Sequence, residues 1–218
     1  MVISYKHKFI FFHVAKVAGL SIKKALQPYT QELDKYKTKR PAKFIDNQPN
    51  QLYDMWVAST THITAQNAQK QLPKEIFDPF YKFAFVRNPW EWQVSMYHFI
   101  LKETKHINHK RVKSMANFDD YITWVIHRSR KTYPKGATKM QKDMIVDCND
   151  KIIIDFVGRY ENLTEDFQKI CQQIGIDATL PAINKTTHKN YSTYYSAKSK
   201  KMVENYFEVD INLFGYTF

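Results

Sequence analysis

Only two cysteines and five glycines occur among the 218 residues, and each shortage closes off a class of protein. Two thiols cannot build the disulfide framework of a small secreted domain. So few glycines, with eight prolines, exclude a collagen-like or low-complexity chain. No apolar run is as long as a membrane-spanning helix requires, and the opening MVISYKHKF lacks the apolar stretch of a secretory signal. The expectation is a soluble, cytoplasmic protein of a reducing compartment. Acidic residues are also scarce. Twenty-one Asp and Glu face 33 Lys and Arg, a formal charge of +12, which asks for anionic partners. Hydrophobic content of 44% is globular, and the length suffices for one full core, so a single domain over 1–218 is expected.

The basic residues gather in KYKTKRPAK (35–43), KETKHINHKRVK (102–113) and RSRKTYPKGATKMQK (128–142). Solvated lysine faces account for any one run, and a nucleic-acid binder would show a similar balance. Charge alone does not choose between them.

Chemistry is concentrated in YKFAFVRNPWEWQVSMY (81–97). The apolar FAFV predicts a buried strand that delivers Arg87 to its end. Asn88 and Pro89 read as the N-cap and first residue of a helix, and Glu91 completes an N-x-x-E pattern. Trp90, Val94, Tyr97 and Leu101 follow at helical spacing. Ser95 falls about two turns into that helix, so Arg87 and Ser95 offer a guanidinium and a hydroxyl to an anion. An ordinary strand–helix corner with a surface arginine would read the same way.

A second segment, FIFFHVAKVAGLSIKKAL (9–26), runs from a buried strand through a Lys-x-x-Gly-x-Ser turn into a helix bounded by Pro28. Backbone N–H groups at a helix start have no internal partner and bind phosphate readily, and Lys16 adds a positive charge. Walker A would need two glycines and a closing Gly-Lys-Ser/Thr; only Gly19 is present and Lys16 precedes the turn. The pattern is not that of a P-loop NTPase.

In this order and spacing the two segments resemble the carbohydrate sulfotransferase family that includes heparan sulfate 2-O- and chondroitin sulfotransferases. That family's Pro-Lys-Thr-Gly-Gly-Thr-Ser-like loop appears as Ala15-Lys16-Val17-Ala18-Gly19-Leu20-Ser21, and its Phe-Val-Arg-Asn/Asp-Pro…Ser motif as Phe85-Val86-Arg87-Asn88-Pro89 with Ser95. The likeness continues through FVGRYENL (156–163), INKTTHKNY (183–191) and DINLFGYTF (210–218). The resemblance implies a P-loop-like sulfotransferase architecture and 3′-phosphoadenosine 5′-phosphosulfate (PAPS) as sulfuryl donor. Lys16, Val17, Ala18, Gly19, Leu20 and Ser21 would hold its 5′ end, Arg87 and Ser95 its 3′-phosphate, and Lys185 and Thr187 would approach the same nucleotide. Two positions depart. Ala15 replaces the family proline and Leu20 the usual threonine, which leaves backbone N–H groups and Ser21 to hold the phosphate.

Transfer to a hydroxyl also needs a base. His62, in TTHITA, matches by order and approximate spacing the histidine that serves as base in the 2-O-sulfotransferases; a helix-capping or exposed histidine is the plainer account. His13, three residues before Lys16, is the rival and could instead support the loop, while His106, His109 and His127 read as surface residues. Ile154-Asp155 could end a Walker B strand, but the first loop lacks its partner, so Asp155 reads as locally hydrogen-bonded or exposed. Arg159 and Glu161 read equally as family residues or a buried ion pair. No metal is expected, and Cys171 reads as core beside Phe167, Ile170 and Ile174.

Strands alternate with helices, which predicts an α/β fold with a central parallel sheet flanked by helices. Strands are expected at 8–14, within 51–60, at FAFV and at 151–158. Helices are expected at 20–27, after Thr64, from Pro89, and at 118–130, 165–174 and 197–208. The reading is a PAPS-dependent transferase acting on a carbohydrate hydroxyl, with catalytic His62 and Lys16. A non-catalytic polyanion or nucleic-acid binder on a degenerate version of the fold is the alternative.

Overall fold

A computed structural model of the chain describes residues 1–30, 62–127, 140–181 and 189–218. The strand expected within 51–60 lies outside them. In chain order the elements are β1 (Val2–Ser4), β2 (Phe9–Phe12), α1 (Gly19–Leu26), α2 (Ala65–Gln71), α3 (Lys74–Phe77), β3 (Tyr81–Val86) and α4 (Pro89–Lys102). They continue with α5 (His109–Lys113), α6 (Phe118–His127), β4 (Phe156–Arg159), α7 (Leu163–Ile174), α8 (Ala197–Tyr206) and α9 (Glu208–Phe214). The chain folds into two compact units. The first takes Met1–Val14, Ala18–Val86 and Lys142–Ile183, and the second takes Ala15–Val17, Arg87–Gln141 and Asn184–Phe218.

The first unit is α/β, with a central four-stranded sheet in the order β1-β2-β3-β4 flanked by helices. β2, β3 and β4 run parallel, with Phe11 opposite Phe83 and Phe85 opposite Gly158. The expectation of a parallel sheet holds for these three strands. β1 adds an antiparallel edge, because only Tyr5–Lys8 connects it to β2, too short a link for a crossover. Every residue of β2 is buried, as the continuous FIFF run requires. Phe9, Phe11, Phe83 and Phe85 alternate onto one face, where Phe11 and Phe83 stack at 5.3 Å. A Cβ at position 158 would collide with the Phe85 ring, so only glycine fits there.

Regular pairing of the fourth strand starts at Phe156 rather than Lys151. Asp155 N–H donates to the Lys82 carbonyl at 2.8 Å, and its carboxylate accepts the Lys82 N–H at 2.7 Å. The side chain thus occupies a ladder position that a peptide carbonyl would fill. Asp155 also pairs with the Lys82 ammonium at 3.0 Å, and so is locally bonded, as its sequence context suggests. Buried Lys82 further donates to the carbonyls of Phe77, Asp78 and Phe80. Thr64 caps α2 by accepting the Asn67 N–H, and α7 buries Phe167, Ile170, Cys171 and Ile174 before Gly175 ends it. Glu161 is exposed and Arg159 half-buried, where a buried position is one of the two readings.

The second unit is helical. Asn88 caps α4 by accepting the Trp90 N–H at 3.0 Å, with Pro89 in the first turn. The buried face of α4 is wider than the predicted stripe. Trp90 and Val94 are buried with Trp92, Gln93, Ser95, Met96 and Ile100, whereas Tyr97 and Leu101 are half-buried. A helix apolar on most sides packs on several neighbours, here Phe118 and Tyr121 of α6 against Tyr97 and Phe207 against Trp92. Asn117 accepts the Asp120 N–H at the start of α6, and Phe118, Tyr121, Ile122 and Val125 are buried. The single helix expected at 197–208 breaks at Phe207, and α9 follows it.

Candidate functional site

The loop after β2 carries strain that its composition conceals. Lys16 and Ala18 both have left-handed backbones, with φ of 63° and 60°, a conformation that costs a residue with a Cβ about 1–2 kcal/mol. Such outliers cluster at ligand sites, and left-handed residues in a turn aim N–H groups into anion-binding concavities. Ala18, at the N-cap of α1, makes no side-chain cap bond, and the first N–H groups of a helix suit an anion. Val17 and Ser21 are buried, and Leu20 is 58% exposed.

In the second unit Lys16 meets Arg87. The Arg87 Nη1 donates to the Lys16 carbonyl at 3.2 Å, and the Trp92 indole N–H donates to the Ala15 carbonyl at 2.7 Å. The Lys16 ammonium lies 4.3 Å from the centre of the Phe99 ring. Burial, and then the Arg87 charge, lower its pKa to about 8, against the opposing pull of Glu103. Arg87 is only 4% exposed and pairs through Nη2 with Glu91 at 3.1 Å. Its backbone is gripped twice by Gln141, whose Oε1 accepts the Arg87 N–H at 2.9 Å while Nε2 donates to the Arg87 carbonyl at 2.7 Å. Ser95, buried on α4, belongs to the same unit. Nothing in the sequence singled out Gln141, which stands inside a basic run.

The first unit brings the two candidate histidines together. His62 Nδ1 is 3.0 Å from the His13 carbonyl oxygen, and the rings lie 4.8 Å apart. A carbonyl only accepts, so Nδ1 carries the hydrogen and the basic lone pair belongs to Nε2. His62 is exposed, whereas His13 is 9% exposed and its Nδ1 has no hydrogen-bond partner among the described residues. Burial first, then the charges of Lys23 and His62, depress the His13 pKa to about 3. The His13 ring fills the space where a Cβ on residue 19 would stand, which accounts for Gly19 by close approach.

Lys185 and Thr187 lie outside the described residues. Among the described residues no three His, Cys, Asp or Glu side chains gather as a metal site would need, and no helix is long and apolar enough to cross a membrane.

Comparison with known proteins bears on the family. A protein of Archaeoglobus fulgidus, named only as uncharacterized, is 29% identical over 126 residues, covering 56% of this chain and 92% of its own. The model of the Sulfotransferase family matches residues 1–217. With a lysine loop after the first parallel strand and an arginine–proline helix start after the second, the chain belongs to the sulfotransferase family.

Proposed function

We propose that the protein transfers a sulfuryl group from PAPS to a carbohydrate hydroxyl, with His62 as general base. The observation that carries this reading is the meeting of Lys16 with Arg87, 3.2 Å apart through the lysine carbonyl. Beyond burial, the Arg87 charge lowers the Lys16 pKa, and a polyanionic nucleotide would offset that repulsion. The donor set suits PAPS, since an ammonium serves a phosphate as a point charge and a guanidinium forks onto one.

Bound PAPS supplies an activated sulfuryl group, whose transfer breaks its bond to the 5′-phosphate oxygen and forms one to the acceptor oxygen. His62 Nε2 takes the acceptor's hydroxyl proton as that bond forms. The Lys16 ammonium neutralises charge growing on the departing phosphate, and an anion beside it would hold on to its proton above pH 8. Arg87 and Ser95 bind the 3′-phosphate, Val17, Ala18, Gly19, Leu20 and Ser21 serve the 5′ end, and Lys185 and Thr187 are assigned to the same nucleotide by the family resemblance alone. His13 does not serve as base. Its pKa of about 3 makes it a poor proton acceptor at neutral pH, and its ring is spent on Gly19.

Calorimetry with 3′-phosphoadenosine 5′-phosphate (PAP), 5′-AMP and duplex DNA tests the donor assignment. PAP is expected to bind at least about tenfold more tightly than 5′-AMP, and Arg87→Ala to erase most of that preference. Equal affinity for the two nucleotides overturns the assignment, and tight binding of DNA alone favours a polyanion-binding protein.

A further inference from the structure

Gln141 spends its whole side chain on one residue. Both polar atoms of the carboxamide go to the Arg87 backbone, at 2.9 and 2.7 Å, in the manner of a peptide on a neighbouring strand. The Gln141 N–H in turn donates to Asp210 Oδ2 on α9 at 2.7 Å. Gln141 and Asp210 are both fully buried, at 0% exposure. A buried carboxylate must be held by bonds that offset its lost hydration, and the Gln141 N–H supplies one of them. The next residue along is held from the same terminal segment, since the Asn88 side-chain amide donates to the Thr217 carbonyl at 2.8 Å. Successive residues of the strand-to-helix corner are thus gripped, directly or through Gln141, by residues 210–217.

We propose that Gln141 and Asp210 are positioning residues for Arg87, through which the C-terminal segment sets the protein's preference for a 3′-phosphorylated nucleotide. The inference rests on the assignment of Arg87 to the 3′-phosphate. Arg87 is the last residue before the α4 cap, and a small rotation of its backbone swings the guanidinium at the end of a long side chain. A forked donor loses alignment on a phosphate with such a rotation, whereas a point charge would not. The carboxamide bonded to both the N–H and the carbonyl of Arg87 blocks that rotation, and Asp210 stops Gln141 from moving with it.

The test compares full-length Gln141→Met, Asp210→Asn, Arg87→Ala and the Arg87→Ala/Gln141→Met double variant. PAP and 5′-AMP affinities are measured by calorimetry, and the Arg87 side-chain N–H is followed by nuclear magnetic resonance. Gln141→Met is expected to weaken PAP by about tenfold or more and 5′-AMP by less than about twofold, with no further loss of PAP in the Arg87→Ala background. Asp210→Asn moves the same ratio in the same direction by less, and supplies the comparison where Gln141→Met does not fold. Equal weakening of both nucleotides, or full additivity with Arg87→Ala, means Gln141 is merely structural and overturns the proposal. Absence of any PAP preference in the unmutated protein defeats the donor assignment instead. Positioning is then judged by the Arg87 N–H signal, which must shift or broaden in Gln141→Met for the inference to stand.

Discussion

The Arg87 corner and the His13 corner solve the same electrostatic problem in opposite ways. Each buries a basic side chain next to a second one. Arg87 keeps its charge: Glu91 pairs with it at 3.1 Å and the Lys16 carbonyl accepts from it. His13 gives its charge up, because burial and the charges of Lys23 and His62 drive the proton off down to about pH 3. A guanidinium has no neutral form within reach, so it must be paired, whereas an imidazole can be buried neutral. Geometry follows chemistry. The arginine is gripped by directional bonds, and the histidine is packed as a ring against Gly19, with Nδ1 unbonded among the described residues. The first corner holds a cation in place by directional bonds, and the second holds the neighbouring His62 in one tautomer through the His13 carbonyl.

The largest expected effect breaks the histidine side of this contrast. His62→Asn should lower turnover by about 10²- to 10⁴-fold while PAP affinity and thermal stability stay near their original values. Single-turnover assays with labelled PAPS decide this. If the variant turns over normally and His13→Asn abolishes turnover without touching PAP affinity, the two imidazoles have exchanged roles.

A smaller effect sharpens the packing claim. Gly19→Ala forces a methyl into the His13 ring and should cost about 1–3 kcal/mol of stability. Adding His13→Ala reopens the space, so the pair should be less destabilised than the sum of the two changes, as read by denaturant titration. Strict additivity would show that Gly19 and His13 do not share that space.

The last effect is one of pH and is read only on the acid side. Below the ordinary histidine value of about 6.5 the unfolded chain binds a proton at His13 that the native state refuses until about pH 3. Stability therefore rises with pH across that window, by up to about 1.4 kcal/mol per pH unit, and this contribution is flat above it. His13→Phe removes the proton site and should flatten the acid limb of the stability curve relative to the unmutated protein, with the two curves parallel at pH 7 and above. Curves that stay parallel down to pH 4 would mean His13 titrates normally and its burial carries no charge penalty.

Much of this was legible in the residues, and the misses share a cause. FIFF, FAFV and the Asn-Pro helix start announced β2, β3 and α4 because strand burial and helix capping are decided within a few neighbours. Lys151–Asp155 misled because an aspartate side chain can take a ladder position from the backbone, which no periodicity reveals. The α8–α9 break was missed because its predicted helix pattern runs unbroken through Phe207, a residue buried against Trp92 far away in the chain. Lys16 and Arg87 stood out by chemical type and motif. Gln141 and Asp210 did not, since an amide in a basic run and an acid in an apolar helix look ordinary until their partners are known.

By itself the sequence determined which segments bury apolar surface, where helices start, and which cations stand at the ends of β2 and β3, because these depend on local spacing and side-chain type. Only the tertiary structure decided that Lys16 and Ala18 take left-handed backbones without glycine, that His13 fills the space above Gly19, and that Gln141 clamps Arg87. Each of these joins residues far apart in the chain or stores strain that distant contacts must offset, and such energies are written in no single stretch of residues.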